Sequence, residues 1–141
     1  RTEGYNKALS RYKIKADKAL VHEIEFASLR AGVRRAMKEL TTTGKADAVF
    51  VLNSNLAAYA LEYINEKGLN VPQDIAVASF DDVEYFRFSN PPVTAIAQPL
   101  DEIGKSAAEL MLQRLSATVK RGKRQRIQLE PELRIRKSTK G

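Results

Sequence analysis

The alternation of apolar and polar positions changes period several times along the 141-residue chain. "GYNKALSRY" (4–12) has the spacing of a short helix, and "KALVHEI" (18–24) reads as a strand. Ala27-Ser28 then opens a second helix with Ser28 as N-cap. Leu29, Val33, Met37 and Leu40 fall on one face of that helix. "TTTG" stops it, with Gly44 suited to a left-handed turn. "DAVFVL" (47–52) is apolar on both faces, as a central parallel strand should be. Asn53 and Ser54 follow at once, and a helix runs on to Lys67 with Leu56, Ala60, Leu61 and Ile64 inward and Gly68 as its cap.

Two more buried strands are expected at "DIAVASF" (74–80) and, after the Pro91-Pro92 break, at "VTAIA" (93–97). An amphipathic helix covers 100–115, and two short strands, "RIQLE" (126–130) and "ELRIR" (132–136), flank Pro131. Short strands alternating with helices of three or four turns predict a layered α/β fold with a mainly parallel sheet.

Where those strands end is where chemistry is expected, because open parallel sheets bind ligands beyond their carboxyl ends. The 47–52 strand delivers Asn53 and Ser54, and the 74–80 strand delivers Asp81 and Asp82. An amide that donates and accepts, beside a carboxylate that accepts several bonds, suits a polar small molecule. Each of these residues also has a plainer reading as a helix cap or turn former.

Composition removes most rivals. With no cysteine and one histidine, His22, the chain has no disulfide, thiol nucleophile or cysteine zinc site, and no Ser-His-acid set. Paired acids at a strand end could hold magnesium for phosphoryl transfer, but the partner lysine is missing: "VTAIAQPL" offers Gln98 there. Neither glycine-rich phosphate motif occurs, so the chain reads as a binding protein without cofactor or metal and not as an enzyme. No apolar run approaches the roughly 18 residues of a membrane span, and the absence of cysteine agrees with a cytoplasmic location.

The formal charge of +7 is local: residues 1–113 hold 14 basic and 15 acidic side chains, whereas 114–141 hold 10 and 2. That tail reads as a solvated turn and strand edge, where basic residues discourage edge pairing. Phosphate contact is its alternative, without the aromatic residues a single-strand binder needs.

"GLNVPQDIAVASFDD" followed by "NPPVTAIAQPLDEIGKSAAELML" closely resembles the effector-binding domain of the LacI/GalR family of bacterial transcription regulators. "ADAVFVLNSNLAAYALEYINEKG" is similar to the family's strand and helix carrying an Ala-Asn-Asp stretch, and "RTEGYNKAL" to its Arg-x-x-Gly-aromatic segment. The resemblance implies a periplasmic-binding-protein-like, three-layer α/β fold with the ligand between two subdomains, present here as a partial domain. On it, residues 1–98 are the C-terminal effector-binding subdomain lacking its first strand. Residues 99–130 belong to the N-terminal subdomain, and 131–141 form a closing strand and tail.

The resemblance further implies that Arg1, Asn53 and Asp81 contact a sugar-like or nucleobase-like effector, with Phe26 as an aromatic wall. Ser54 departs from the pattern, standing where the family usually has aspartate. Tyr59, Tyr63, Phe86 and Phe88 would face the partner of a homodimer. The apolar face of the 100–115 helix (Leu100, Ile103, Ala107, Leu110, Met111) would face the other subdomain. DNA would be held by an N-terminal helix-turn-helix head that has no counterpart in this chain. An exported sugar-binding protein for transport or chemotaxis is the alternative of the same fold.

Overall fold

The computed structural model describes residues 1–116 and 125–140. The basic stretch 117–124, with its phosphate-contact reading, lies outside the described residues.

Four strands form one sheet in chain order: β1 (Ala48–Val51), β2 (Ala76–Phe80), β3 (Thr94–Ala97) and β4 (Glu132–Arg134). The first three run parallel and β4 returns antiparallel along β3. Five helices accompany them among the described residues: α1 (Thr2–Arg11), α2 (Leu29–Thr42), α3 (Ser54–Glu66), α4 (Tyr85–Phe88) and α5 (Leu100–Leu115). The core gathers Val33 and Met37 of α2, Ala57, Ala60, Tyr63 and Ile64 of α3, Val51, Val77 and Ala95 of the sheet, and Ile75, Phe86 and Val93. Each large side chain taken from water there contributes about 1.5–3 kcal/mol.

Helix α2 buries Gly32, Val33, Ala36, Met37 and Leu40, one stripe of an amphipathic helix. At its rim Arg30 grips both oxygens of Glu62, at 3.0 and 2.6 Å, and Arg34 pairs with Glu66, so α2 and α3 are tied along their exposed edge. Ser28 occupies the N-cap position of α2, but its side chain makes no capping bond.

Glycine has different work at the two helix ends. Gly68 has φ +65°, its N–H reaches the Asn65 carbonyl, and the Leu69 N–H reaches Ile64, which together close a Schellman motif after α3. Gly68→Ala meets no atom within 4 Å, so only the left-handed backbone opposes it. A loss of about 1 kcal/mol is expected by urea unfolding; an unchanged midpoint would mean that the turn relaxes freely. Gly44 does not take the expected left-handed conformation, which passes to Lys45 at φ +47°. Gly44 is needed for space: a Cβ there would lie 3.0 Å from the Leu40 carbonyl oxygen and 3.1 Å from Leu20 Cδ2.

Three strand expectations are corrected. Residues 18–24 form a 3₁₀ turn (Lys18–Leu20) and then an extended run with no ladder. Residues 126–130 carry no strand, and the closing strand is only Glu132–Arg134. β1 is at the sheet's edge rather than its centre, with Phe50 39% exposed. The Asp47 carbonyl accepts from the Ala76 N–H, so by alternation the polar groups of Ala48, Phe50 and Leu52 point away from β2. Between that open edge and residues 20–24 lies an apolar groove of about 430 Å³, lined also by Thr2 and Tyr5. Residues 21–24 complete no ladder with β1, and Val33, Ala36, Met37 and Leu40 of α2 line the groove as well.

Candidate functional site

The parallel register sets the site. Val51 pairs with Ser79, so Asn53 and Asp81 leave neighbouring strands at the same level of the sheet. Arg1 joins them through three contacts. Its Nη1 donates to the Leu52 carbonyl at 2.5 Å, its guanidinium lies 4.0 Å from the Phe80 ring centre, and its Nη2 is 3.8 Å from Asp81 Oδ1. A cation held over an aromatic face beside a carboxylate is fixed in direction as well as charge.

Asp81 has φ +72°, a left-handed conformation that aspartate tolerates better than most residues. Its N–H still donates to the Ile96 carbonyl at 3.0 Å, continuing the sheet one residue beyond β2. Gln98 Nε2 donates to Oδ1 at 2.5 Å, while Oδ2 bonds to no protein group among the described residues. The side chain is 28% exposed and lines a polar cavity of about 660 Å³ with Ser54, Gln98, Leu100, Asp101, Glu102 and Arg134.

Asn53 is partly committed elsewhere. It is the N-cap of α3, and its Oδ1 accepts from the Leu56 N–H at 2.9 Å, which leaves the amide N–H groups available. Next to it, the Tyr85 hydroxyl donates to the Ser54 carbonyl at 2.9 Å, tying the 81–88 segment to the start of α3. Burial pushes the Tyr85 hydroxyl above its ordinary pKa, which keeps it a donor. Phe26 stands apart, 86% exposed in the 3₁₀ turn before α2 and outside the cavity lining.

Asp82 borders the same cavity but has only 2% of its side chain exposed. Arg136 grips it with two prongs, Nη1 to Oδ1 and Nη2 to Oδ2, both at 2.7 Å, and Arg134 Nη1 adds a third bond to Oδ2 at 2.9 Å. The hydrogen bond from Arg136, more than any other influence, holds the Asp82 carboxyl below the usual carboxylate range. The adjacent acids thus divide the work: Asp82 is saturated by protein, and Asp81 keeps a free oxygen.

Of the aromatic residues expected at a partner surface, Tyr63 and Phe86 lie in this chain's own core, at 4% and 0% exposure. The packing against Ile64, Val77 and Val93 consumes them, so they are not available to another subunit. Tyr59 is partly buried against the same core, and Phe88 is exposed.

Gln98, Arg134 and Arg136 are the site residues that the sequence pattern did not single out. The signal for the two arginines is their spacing in "ELRIR", which places them on one side of an extended chain. No cluster of three or more metal-ligating side chains occurs among the described residues, nor is any described helix long and apolar enough to cross a membrane.

Residues 1–139 match the family described as the periplasmic binding protein-like domain. The chain is 36% identical over 115 residues to the ribose operon repressor of Haemophilus influenzae, covering 82% of this chain and 34% of that protein. A LacI family transcriptional regulator from Enterococcus faecium with bound ribose superposes with a TM-score of 0.79 at 28% identity, over 98% of this chain and 50% of the other. The transcriptional regulator CelR in complex with cellobiose superposes with a TM-score of 0.85 at 30% identity, over 97% of this chain and 41% of the other. The chain therefore spans between a third and a half of the proteins it matches. The chain belongs to the periplasmic binding protein-like domain family, as part of the effector-binding domain found in LacI-family transcription regulators.

Proposed function

We propose that this chain forms one wall of the effector cleft of a DNA-binding transcription regulator, and that a small polar effector, sugar-like or nucleobase-like, sits against Asp81. One observation carries this reading. A carboxylate at the end of a central strand is turned into a polar cavity with one oxygen restrained by Gln98 and the other unbonded. Hydroxyls or ring N–H groups are the natural donors to that oxygen, and a hydrogen bond to a charged group contributes about 1.5–3 kcal/mol. Arg1 and the free amide of Asn53, which stand outside the residues lining that cavity, supply donors beside the neighbouring strand end. Phe26, exposed and outside the cavity lining, adds no contact in this arrangement. The ribose and cellobiose named with the two superposed regulators support the sugar-like class. The same regulators support this reading over an exported receptor. No step of it requires catalysis, and it places the protein in the cytoplasm with its operator.

The division into subdomains is part of the proposal. Residues 1–98 form the C-terminal subdomain, whose first strand would precede Arg1 and lie in the groove between β1 and residues 20–24. Arg1, bonded to the last outward carbonyl of β1, is where such a strand would end. Residues 99–130, with α5, go to the N-terminal subdomain, and residues 131–141 close the sheet. Helix α5 supports this: it buries no residue, and Leu100, Ile103, Met111, Leu112 and Leu115 are exposed. Effector in the cleft would favour one orientation of the subdomains. Through a homodimer meeting near Tyr59 and Phe88, that would bias how a pair of DNA-binding heads sits on its operator. Such coupling is typically about 1–3 kcal/mol.

The test is calorimetric titration of the full-length protein with D-ribose, cellobiose and hypoxanthine, followed by Asp81→Ala against whichever binds. A loss of about tenfold to a hundredfold is expected from removing a charged acceptor. Unchanged affinity would take Asp81 out of the cleft.

A further inference from the structure

We infer that Arg134 and Arg136 are positioning residues of the candidate site: through the Asp82 carboxylate they hold the left-handed backbone at Asp81 that turns its side chain into the cavity. The effector reading above is needed only for the consequence of this hold, not for the hold itself.

Asp81 is a non-glycine residue at φ +72°, a conformation that persists only where its surroundings impose it. On its amino side the sheet does so, through the Asp81 N–H bond to Ile96. On its carboxyl side β2 has ended, and the first fixed point is the next residue. There three guanidinium N–H bonds converge on the Asp82 carboxylate, which is withdrawn from water. Between two such anchors one residue apart, the turn at Asp81 has little freedom.

The arginines are themselves on a rigid base. Arg136 Nη1 also donates to the Val93 carbonyl at 2.7 Å, and its backbone N–H donates to Thr94 Oγ1 at 2.8 Å. Two residues on, the Ser138 hydroxyl is fully buried, donating to the Val77 carbonyl at 2.6 Å and accepting from the Thr94 N–H at 2.8 Å. The segment from β4 to Thr139 is thus bolted across β2 and β3. The Arg136 guanidinium acts as a fixed peg, and Arg134, partly exposed and also paired with Glu132, adds one further bond. A two-pronged arginine grip specifies direction as well as attraction, which a lysine cannot reproduce. A substitution at 136 would therefore retune effector strength without touching the effector, whereas Arg134 itself lines the cavity.

Site-resolved amide hydrogen exchange in the full-length protein, without any effector, tests this. The quantity read is the exchange rate of the Asp81 amide relative to that of Ala78, which lies inside the β1–β2 ladder. The variants are Arg136→Lys, which keeps the charge and loses the fork, and Arg134→Gln, which removes one of the three bonds. Val33→Ala, in the core under α2, is the control for general loss of stability. The ratio is expected to rise about tenfold in the arginine variants and to stay near its starting value in the control. A rise below about threefold in both arginine variants, or an equal rise in the control, overturns the proposal. Should Arg136→Lys not fold, Arg134→Gln decides by the same threshold. Because no ligand enters the measurement, its failure is distinct from a failure of the Asp81→Ala titration.

Discussion

Replacing Asp82 with alanine in the full-length protein is expected to lower stability by about 3 kcal/mol, because breaking a buried ion pair strands the surviving charge. The figure belongs at the lower end of the range for such losses, since Arg134 reaches solvent and can rehydrate. Arg136 is the more affected partner: its guanidinium is largely buried and would keep only the Val93 carbonyl among its present side-chain acceptors. Urea unfolding at pH 7 measures the loss, and a value below about 1 kcal/mol would mean that the group behaves as an ordinary surface pair. The pH dependence has a definite sign. The folded Asp82 carboxyl has its pKa held below the unfolded value, so the folded state binds the proton more weakly. The stabilisation is fully present above the unfolded carboxylate range, near pH 4–5. It is lost as pH falls through the folded pKa. Asp82→Asn should flatten that part of the stability curve, and an unchanged acid limb would assign it to other carboxylates.

Phe86→Ala is expected to cost about 3–5 kcal/mol, the range for emptying an aromatic site in a packed core. The ring is fully buried, meets Tyr85 edge-on with centroids 4.7 Å apart, and its backbone N–H and carbonyl bond to Val83 and Val93. The measurement that separates this from an interface role is the unfolding midpoint at several protein concentrations. A core residue loses the same free energy at each, whereas the loss from an interface residue shrinks as the protein is diluted towards monomer. A loss that shrinks on dilution would return Phe86 to the partner surface.

Much of this architecture is legible in local pattern, and its misreadings share a cause. β2, β3, α3 and α5 follow from runs whose period is set by their own neighbours in sequence. β1 reads as an interior strand because it is apolar on both faces, a composition suited to pairing on two sides, and residues 18–24 read as a strand from their apolar run. Whether that pairing exists depends on another strand, which no local pattern encodes. Phe86 and Tyr63 were misplaced in the same way: their composition suits an interface, but only the packing of Val77, Val93 and Ile64 decides which side of the boundary they occupy.

At the site, the acid at the end of a buried strand was visible, and so was its likeness to a known ligand-binding turn. The division of labour between Asp81 and Asp82 was not. It is made by arginines 52 and 54 residues further along the chain; the resemblance singled out Asp81, but no residue near the two acids shows what saturates Asp82. Gln98 was informative only as a missing lysine, although its amide holds Asp81 Oδ1.

The outer rim of β1 has a consequence for handling the polypeptide. Ala48, Val49, Phe50 and Val51 carry no lysine, proline or bulge to repel a stranger, and the outward amides and carbonyls of Ala48 and Phe50 invite one. Copies of this chain prepared on their own would zip together along that margin into fibrillar or amorphous deposits as concentration rises. Covering that margin by design is the route to a dispersed sample.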